Sequence, residues 1–177
     1  MTRDPITIVP YDPEWPRAFD RERVELAAAL GALAVRIEHN GSTAVPGLAA
    51  KPIIDIQVSV ERLQPMSAYR TRLAGLGYTH VPHADDACCP FFYRDAVPPR
   101  ARYRHHVHVV EAGGEEERRT LAFRDRLRQD ARAAREYETL KRELAARYDG
   151  RTDGSMQSYV DGKTAFIDRI VATRGTK

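Results

Sequence analysis

Gly41-Ser42-Thr43-Ala44-Val45-Pro46-Gly47-Leu48-Ala49-Ala50-Lys51-Pro52-Ile53-Ile54-Asp55-Ile56-Gln57-Val58 sets a small-residue turn ahead of an apolar run that carries one acid. Glycine and serine let backbone N–H groups come close to an anion, and a strand carboxylate further on suits a divalent cation. Along the run, Ile54, Ile56, Val58 and Val60 share one face of a strand, while Ile53, Asp55, Gln57 and Ser59 share the other. Asp55 therefore projects away from the aliphatic face.

Upstream, Ile6-Thr7-Ile8-Val9 is a short apolar stretch ended by Pro10. Phe19, Val24, Leu26, Ala27, Leu30 and Leu33 recur at helical spacing, which predicts a helix from Arg17 to about Gly31. Ala34 to His39 then reads as a strand entering the Gly-Ser turn. Downstream, the pattern predicts a helix over 66–75 and a strand over 77–81. Phe91–Arg94 and Tyr103–Val110 read as antiparallel strands joined by the Val97-Pro98-Pro99-Arg100 loop. Residues 115–148 predict two helices with a break near Asp130, a residue with N-cap chemistry, and a last helix is predicted over 155–172. Strands fill the first two-thirds of the chain and helix most of the last third. That order predicts an α+β (mixed α/β) fold: a small, largely antiparallel mixed sheet with helices packed on it. A doubly wound parallel sheet is disfavoured, because the second half lacks strand and helix alternation.

A chain of 177 residues is sized for a single domain spanning 1–177. Its 28 Lys and Arg against 25 Asp and Glu leave a charge of +3, spread along the chain. This balance favours an anionic small molecule over nucleic acid, for which no basic and aromatic stripe is present. Cys88 and Cys89 are adjacent, a geometry that strains a disulfide, so reduced thiols and a cytoplasmic protein are expected. No basic-then-apolar leader opens the chain, and no apolar run approaches the roughly 20 residues of a membrane span.

Asp55 needs a partner wherever it is buried, either a structural arginine or a metal and substrate role. His106 and His108 point to one face of their strand and can share a metal or an anion, while His105 points to the other; surface histidines on an edge strand are the plainer reading. Glu38 and His39 at the end of the preceding strand complete a candidate acid-base set with Asp55, His106 and His108. Tyr159 and Lys163 share a helix face, as do Tyr137 and Lys141, and either pair could grip an anion or be an ordinary solvated face. Arg94, Arg102 and Arg104 flank the histidine strand and could clamp phosphate or balance surface charge.

The chain resembles the GrpB family, placed in the nucleotidyltransferase-like superfamily. The resemblance is carried by Val9-Pro10-Tyr11-Asp12-Pro13-Glu14-Trp15, by Ile37-Glu38-His39-Asn40-Gly41-Ser42 through Asp55-Ile56, by His106-Val107-His108, by Phe123-Arg124-Asp125-Arg126-Leu127, by Tyr137-Glu138-Thr139-Leu140-Lys141 and by Tyr159-Val160-Asp161-Gly162-Lys163. It implies a palm-like core in which the Gly41-Ser42 turn holds phosphates; Thr43, Lys51, Gln57, Arg94, Arg104, Tyr159 and Lys163 are the further candidates for meeting phosphate or substrate. In active members of the superfamily a pair of strand acids and a third acid hold Mg²⁺. Here the first acid is Asp55, and the second position is the neutral Gln57. A divalent cation is the implied cofactor, Mg²⁺, or Zn²⁺ or Fe if Asp55, His106 and His108 ligate it. Three functions stay open: a nucleotide-binding transferase, an acid-base or metal enzyme on another substrate, and a non-catalytic ligand-binding domain.

Overall fold

The structure, a computed structural model, describes residues 5–96 and 103–172. Helix α1 (Glu14–Leu30) leads into β1 (Ala34–Asn40), and a 3-10 turn at Ser42–Ala44 leads on to β2 (Ile53–Val60). Helix α2 (Ser67–Gly75) precedes β3 (Thr79–Val81), β4 (Phe91–Arg94) and β5 (Arg104–Glu111). Four helices close the chain: α3 (Glu115–Gln129), α4 (Ala131–Arg147), α5 (Asp153–Asp161) and α6 (Thr164–Ala172).

The five strands form one sheet of order β1-β2-β5-β4-β3. Three neighbouring pairs are antiparallel, and the central β2 and β5 run parallel. This is the mixed, largely antiparallel α+β architecture that the order of elements predicts, with a helical C-terminal third. The loop expected at Val97–Arg100 lies outside the described residues, but the strands on either side of it pair antiparallel as expected. Ile6–Val9 stays outside the sheet; among the described residues its one ladder contact is the bridge from Val9 to Ala50, just before Pro10 ends the segment. The helix expected over 155–172 is broken at Gly162, which packs so closely that a Cβ there would lie 2.5 Å from Leu144 Cδ2.

Alternation along β2 and β5 sorts side chains between two layers. Ile54, Ile56, Val58, Val107 and Val109, each 0% exposed, meet Trp15, Leu26 and Leu30 of α1 and Leu73 of α2. Each such side chain contributes roughly 1.5–3 kcal/mol on burial. A second cluster joins Val45 and Leu48, just after the turn, to Leu127 of α3, Ala133 and Tyr137 of α4, and Phe166 and Ile170 of α6. At the α3–α4 junction Asp130 caps the new helix as predicted, accepting from the Arg132 and Ala133 N–H groups at 3.0 Å.

Helix α3 is fixed to the sheet by Glu117, which is 3% exposed. Its carboxylate accepts from the Arg36 guanidinium at 2.6 and 3.0 Å, from the Gly113 N–H and from the Ser59 hydroxyl. Burial raises the Glu117 pKa, but the hydrogen bonds from Arg36, Ser59 and Gly113 outweigh it and hold the group below its ordinary value. The charged form is thus favoured by folding, so its contribution is full above the unfolded pKa and is lost as pH falls through the folded one. Glu117→Gln is expected to cost roughly 1.5–3 kcal/mol in urea unfolding at neutral pH. The gap to wild type should close as the pH falls below the ordinary value of 4.5.

Candidate functional site

The turn after β1 is built around a backbone that only glycine tolerates. Gly41 has φ +65°, and a Cβ there would lie 2.9 Å from Asp55 Cβ and Cγ and closer still to Oδ2. The antiparallel register sets Asn40 opposite Asp55, so the next residue, Gly41, folds over the carboxylate. The turn is then held from several sides. Thr43 donates to the Ile53 carbonyl at 3.1 Å, Arg128 to the Ala44 carbonyl at 2.9 Å, and Arg124 to the His39 carbonyl at 2.9 Å. Lys141 of α4 donates to Ser42 Oγ at 3.0 Å and to the Ala49 carbonyl.

Asp55 stands directly across the parallel pair from His106, whose Nδ1 lies 3.5 Å from Asp55 Oδ1. Their side chains are 31% and 22% exposed, so the pair faces a partly open recess. Burial raises the Asp55 pKa, but His106, His108 and Lys51 more than offset it, and the carboxyl is held below its ordinary value. His108 sits deeper, with Nδ1 3.7 Å from Cys89 Sγ and its ring 5.0 Å from Phe91. Burial brings its pKa down to about 4 despite Asp55, so it is neutral near pH 7.

Opposite the acid lies a group of lysines from separate segments. Lys51 and Lys163 place their ammonium groups 5.2 and 4.6 Å from the centre of the Tyr159 ring, and Lys141 lies 5.0 Å from that of Tyr137. Tyr159 is 1% exposed, so it serves as a platform under two lysines and presents no open ring face. Burial pulls Lys141 down to about 7 and Lys163 to about 8, with Asp55 raising both in part. The elbow at Gly162 places Lys163 between α5 and α6.

The oxygen donors do not fit the paired acids of a magnesium site. Gln57 is 0% exposed, and its Oε1 accepts from Asn40 at 3.3 Å and from Thr120 of α3 at 2.5 Å. Its Nε2 is buried without a partner. The position of a second acid is therefore neutral and roofed by α3, away from the recess. Among the described residues, no three His, Cys, Asp or Glu side chains converge to hold a metal ion, Asp55, His106 and His108 included.

Of the other residues singled out from sequence, several are engaged elsewhere. Glu38 pairs with Arg124 at 2.8 Å. His39 is 7% exposed, stacks on Phe19 at 4.8 Å and bonds Thr43 at 3.0 Å; burial lowers its pKa to about 4. Thr43 is itself 1% exposed. Arg94 lies on the α1 side of the sheet, where it meets Glu22 and the Leu76 carbonyl. Arg104 pairs with Asp95 at 2.7 Å at the exposed start of β5. Sequence reasoning missed Lys141 as the partner of Ser42 and Arg124 and Arg128 as clamps on the turn. A lysine inside the apolar stripe of Tyr137 and Leu144 was the available signal, since a cation seldom sits on a buried face without a partner.

These features define a small α+β domain with a glycine-serine turn, one carboxylate and a lysine-rich recess. The chain belongs to the GrpB family, whose profile, described as GrpB protein, matches residues 5–173. The glutamate-rich protein GrpB of Alkalihalophilus pseudofirmus is 32% identical, covering 97% of each chain. The crystal structure of conserved protein GrpB from Enterococcus faecalis superposes with a TM-score of 0.76 at 33% identity, over 94% of this chain and 95% of that one. Other relatives are longer: the chain spans 45% of the UPF0157 protein YqkA of Bacillus subtilis, at 33% identity over 92% of its own length. It likewise spans 45% of a dephospho-CoA kinase of Mycolicibacterium paratuberculosis, at 33% identity over 94% of its own length.

Gly41→Ala is expected to destabilise the protein by about 1–2 kcal/mol from the left-handed backbone alone, and by more from the collision with Asp55. Adding Asp55→Ala removes Cγ and both oxygens from that collision. The double variant should therefore lose less, in thermal or urea unfolding, than the sum of the two single losses.

Proposed function

We propose that the recess beside Asp55 binds a nucleotide or another phosphorylated small molecule, with Gly41 and Ser42 at the anion and Lys51, Lys141 and Lys163 neutralising it. The observation that carries this reading is the lysine group itself. Lys141 of α4 bonds the Ser42 hydroxyl, Lys51 and Lys163 share the Tyr159 ring, and all three interact electrostatically with Asp55. Among the described residues, neither Lys141 nor Lys163 has a carboxylate within ion-pair distance; their contacts are Ser42, the Ala49 carbonyl and tyrosine rings. Burying cations in that way is costly unless an anion is due to join them. Asp55, held ionised, keeps His106 oriented and leaves its other ring nitrogen for a proton of the ligand. The kinase name of a longer relative accords with a phosphorylated ligand.

Titration calorimetry with ATP tests the reading. Lys163→Met is expected to weaken binding by about tenfold or more, one charge-assisted contact's worth. The pH dependence has a defined sign. Lys141 faces Glu138, Arg142, Lys163, Asp55 and Tyr137, and Lys163 faces Lys51, Asp55 and Tyr159; in that setting they titrate at about 7 and about 8. A bound polyanion holds both protonated, so above pH 8 binding must take up protons and should weaken by up to about tenfold per pH unit for each one. The free protein should respond the other way. The depressed lysines cost stability in full below pH 7 and progressively less as pH rises toward the unfolded value of 10.5. Binding that is level from pH 7 to 9 would count against the lysine assignment.

A further inference from the structure

The countercharge of the recess is the inverse of a two-metal site. A Mg²⁺ ion at such a site needs carboxylates and phosphate oxygens in near-octahedral array. Here one carboxylate is present, already beside His106. The neighbouring position along β2 is an amide whose oxygen is taken by Asn40 and Thr120 beneath α3. The positions facing Asp55 and Gln57 on β5 are the imidazoles of His106 and His108. Three ammonium groups then stand against that single carboxylate, so the recess repels a divalent cation and matches an anion of two or more charges.

Resting on the phosphate-binding reading above, we infer that the recess takes the phosphate group of its ligand as a free anion, with Lys51, Lys141 and Lys163 in place of metal ions. The ligand class is narrowed accordingly. Phosphate monoesters and pyrophosphate groups that travel without a tightly held cation fit it. A magnesium nucleoside triphosphate brings a cation for which the protein offers a single carboxylate. The role of Asp55 changes in the same step: it holds His106 and sets the limit on how much negative charge the lysines accept. Removing its charge without changing its shape should strengthen anion binding, the reverse of what a metal ligand would show.

Calorimetry with two probes, inorganic pyrophosphate and ATP, each in EDTA and in millimolar Mg²⁺, tests the inference on wild type, Asp55→Asn and Lys163→Met. The expected result is binding in EDTA at least as tight as in Mg²⁺, a severalfold gain for Asp55→Asn in EDTA, and a loss of about tenfold for Lys163→Met. Far-ultraviolet circular dichroism and thermal unfolding of each variant confirm that it is folded. Binding that needs Mg²⁺ and disappears in Asp55→Asn overturns the metal-free inference while leaving phosphate binding standing. Binding in EDTA that is indifferent to Lys163→Met overturns the assignment to this recess. Failure of both probes under both conditions overturns the phosphate reading itself.

Discussion

The glycine turn packs its Gly41 backbone so tightly on the Asp55 side chain that no Cβ fits between them. The β1–β2 register sets Asn40 against Asp55, and the chain must then turn over the carboxylate within one residue. A positive φ and the absence of a Cβ make that possible. Everything later in the site depends on it. The turn's carbonyls face outward to Arg128 of α3 and Lys141 of α4, so two helices distant in sequence are anchored to the same few backbone atoms. The apolar residues after the turn, Val45 and Leu48, then seat the α3–α4–α6 cluster. One close contact between two β-strands thus fixes both the geometry of the acid and the placement of the lysines opposite it.

The two faces of the sheet divide the work. The face toward α1 and α2 is nearly all aliphatic, and the polar group buried there, Glu22 with Tyr78, Arg94 and His105, satisfies most of its own needs. Burial leaves His105 at about 4, so that cluster stays uncharged on histidine through the neutral range. The opposite face carries most of the polar side chains of β2 and β5, among them Asp55, Gln57, Ser59, His106 and His108, and Asp55 and His106 are partly exposed. Glu117 closes the far end by tying α3 to Ser59 and Arg36, and Thr120 covers Gln57. Asp55 and His106 keep 31% and 22% of their side chains exposed, whereas Gln57 and Lys141 are buried.

Period-two alternation made most of this arrangement legible in the sequence. It put Asp55 and His106 on the face away from the aliphatic core, and a cap residue marked the α3–α4 break at Asp130. The reading ran short where a contact depends on elements far apart in the chain. Lys141 meets Ser42 across 99 positions and Arg124 meets Glu38 across 86, and no local period encodes either meeting. Arg94 and Arg104 were plausible phosphate clamps on spacing alone, yet β4 and β5 direct them to Glu22 and Asp95, which only the tertiary fold supplies. The break at Gly162 needed the knowledge that Leu144 packs against it.

Gln57 brings the fold and the chemistry together. A carboxylate at that position would lie fully buried, with the neutral Thr120 and Asn40 as its donors, and an ion so placed without a countercharge costs several kcal/mol. A neutral amide there keeps a satisfied oxygen and an unpartnered NH2 group, a penalty nearer 1–3 kcal/mol. The roof formed by α3 and the neutral residue under it are therefore mutually consistent. An acid here would need that roof opened, and the roof is held by Glu117 and by the same helix whose Arg124 and Arg128 clamp the glycine turn. Closing α3 onto the sheet fixes the glycine turn and, in the same act, removes the place where a second metal-binding carboxylate would stand. On this fold a clamped glycine-serine turn and a paired-acid metal centre compete for the position of one helix, and in this chain α3 lies where it clamps the turn and covers Gln57.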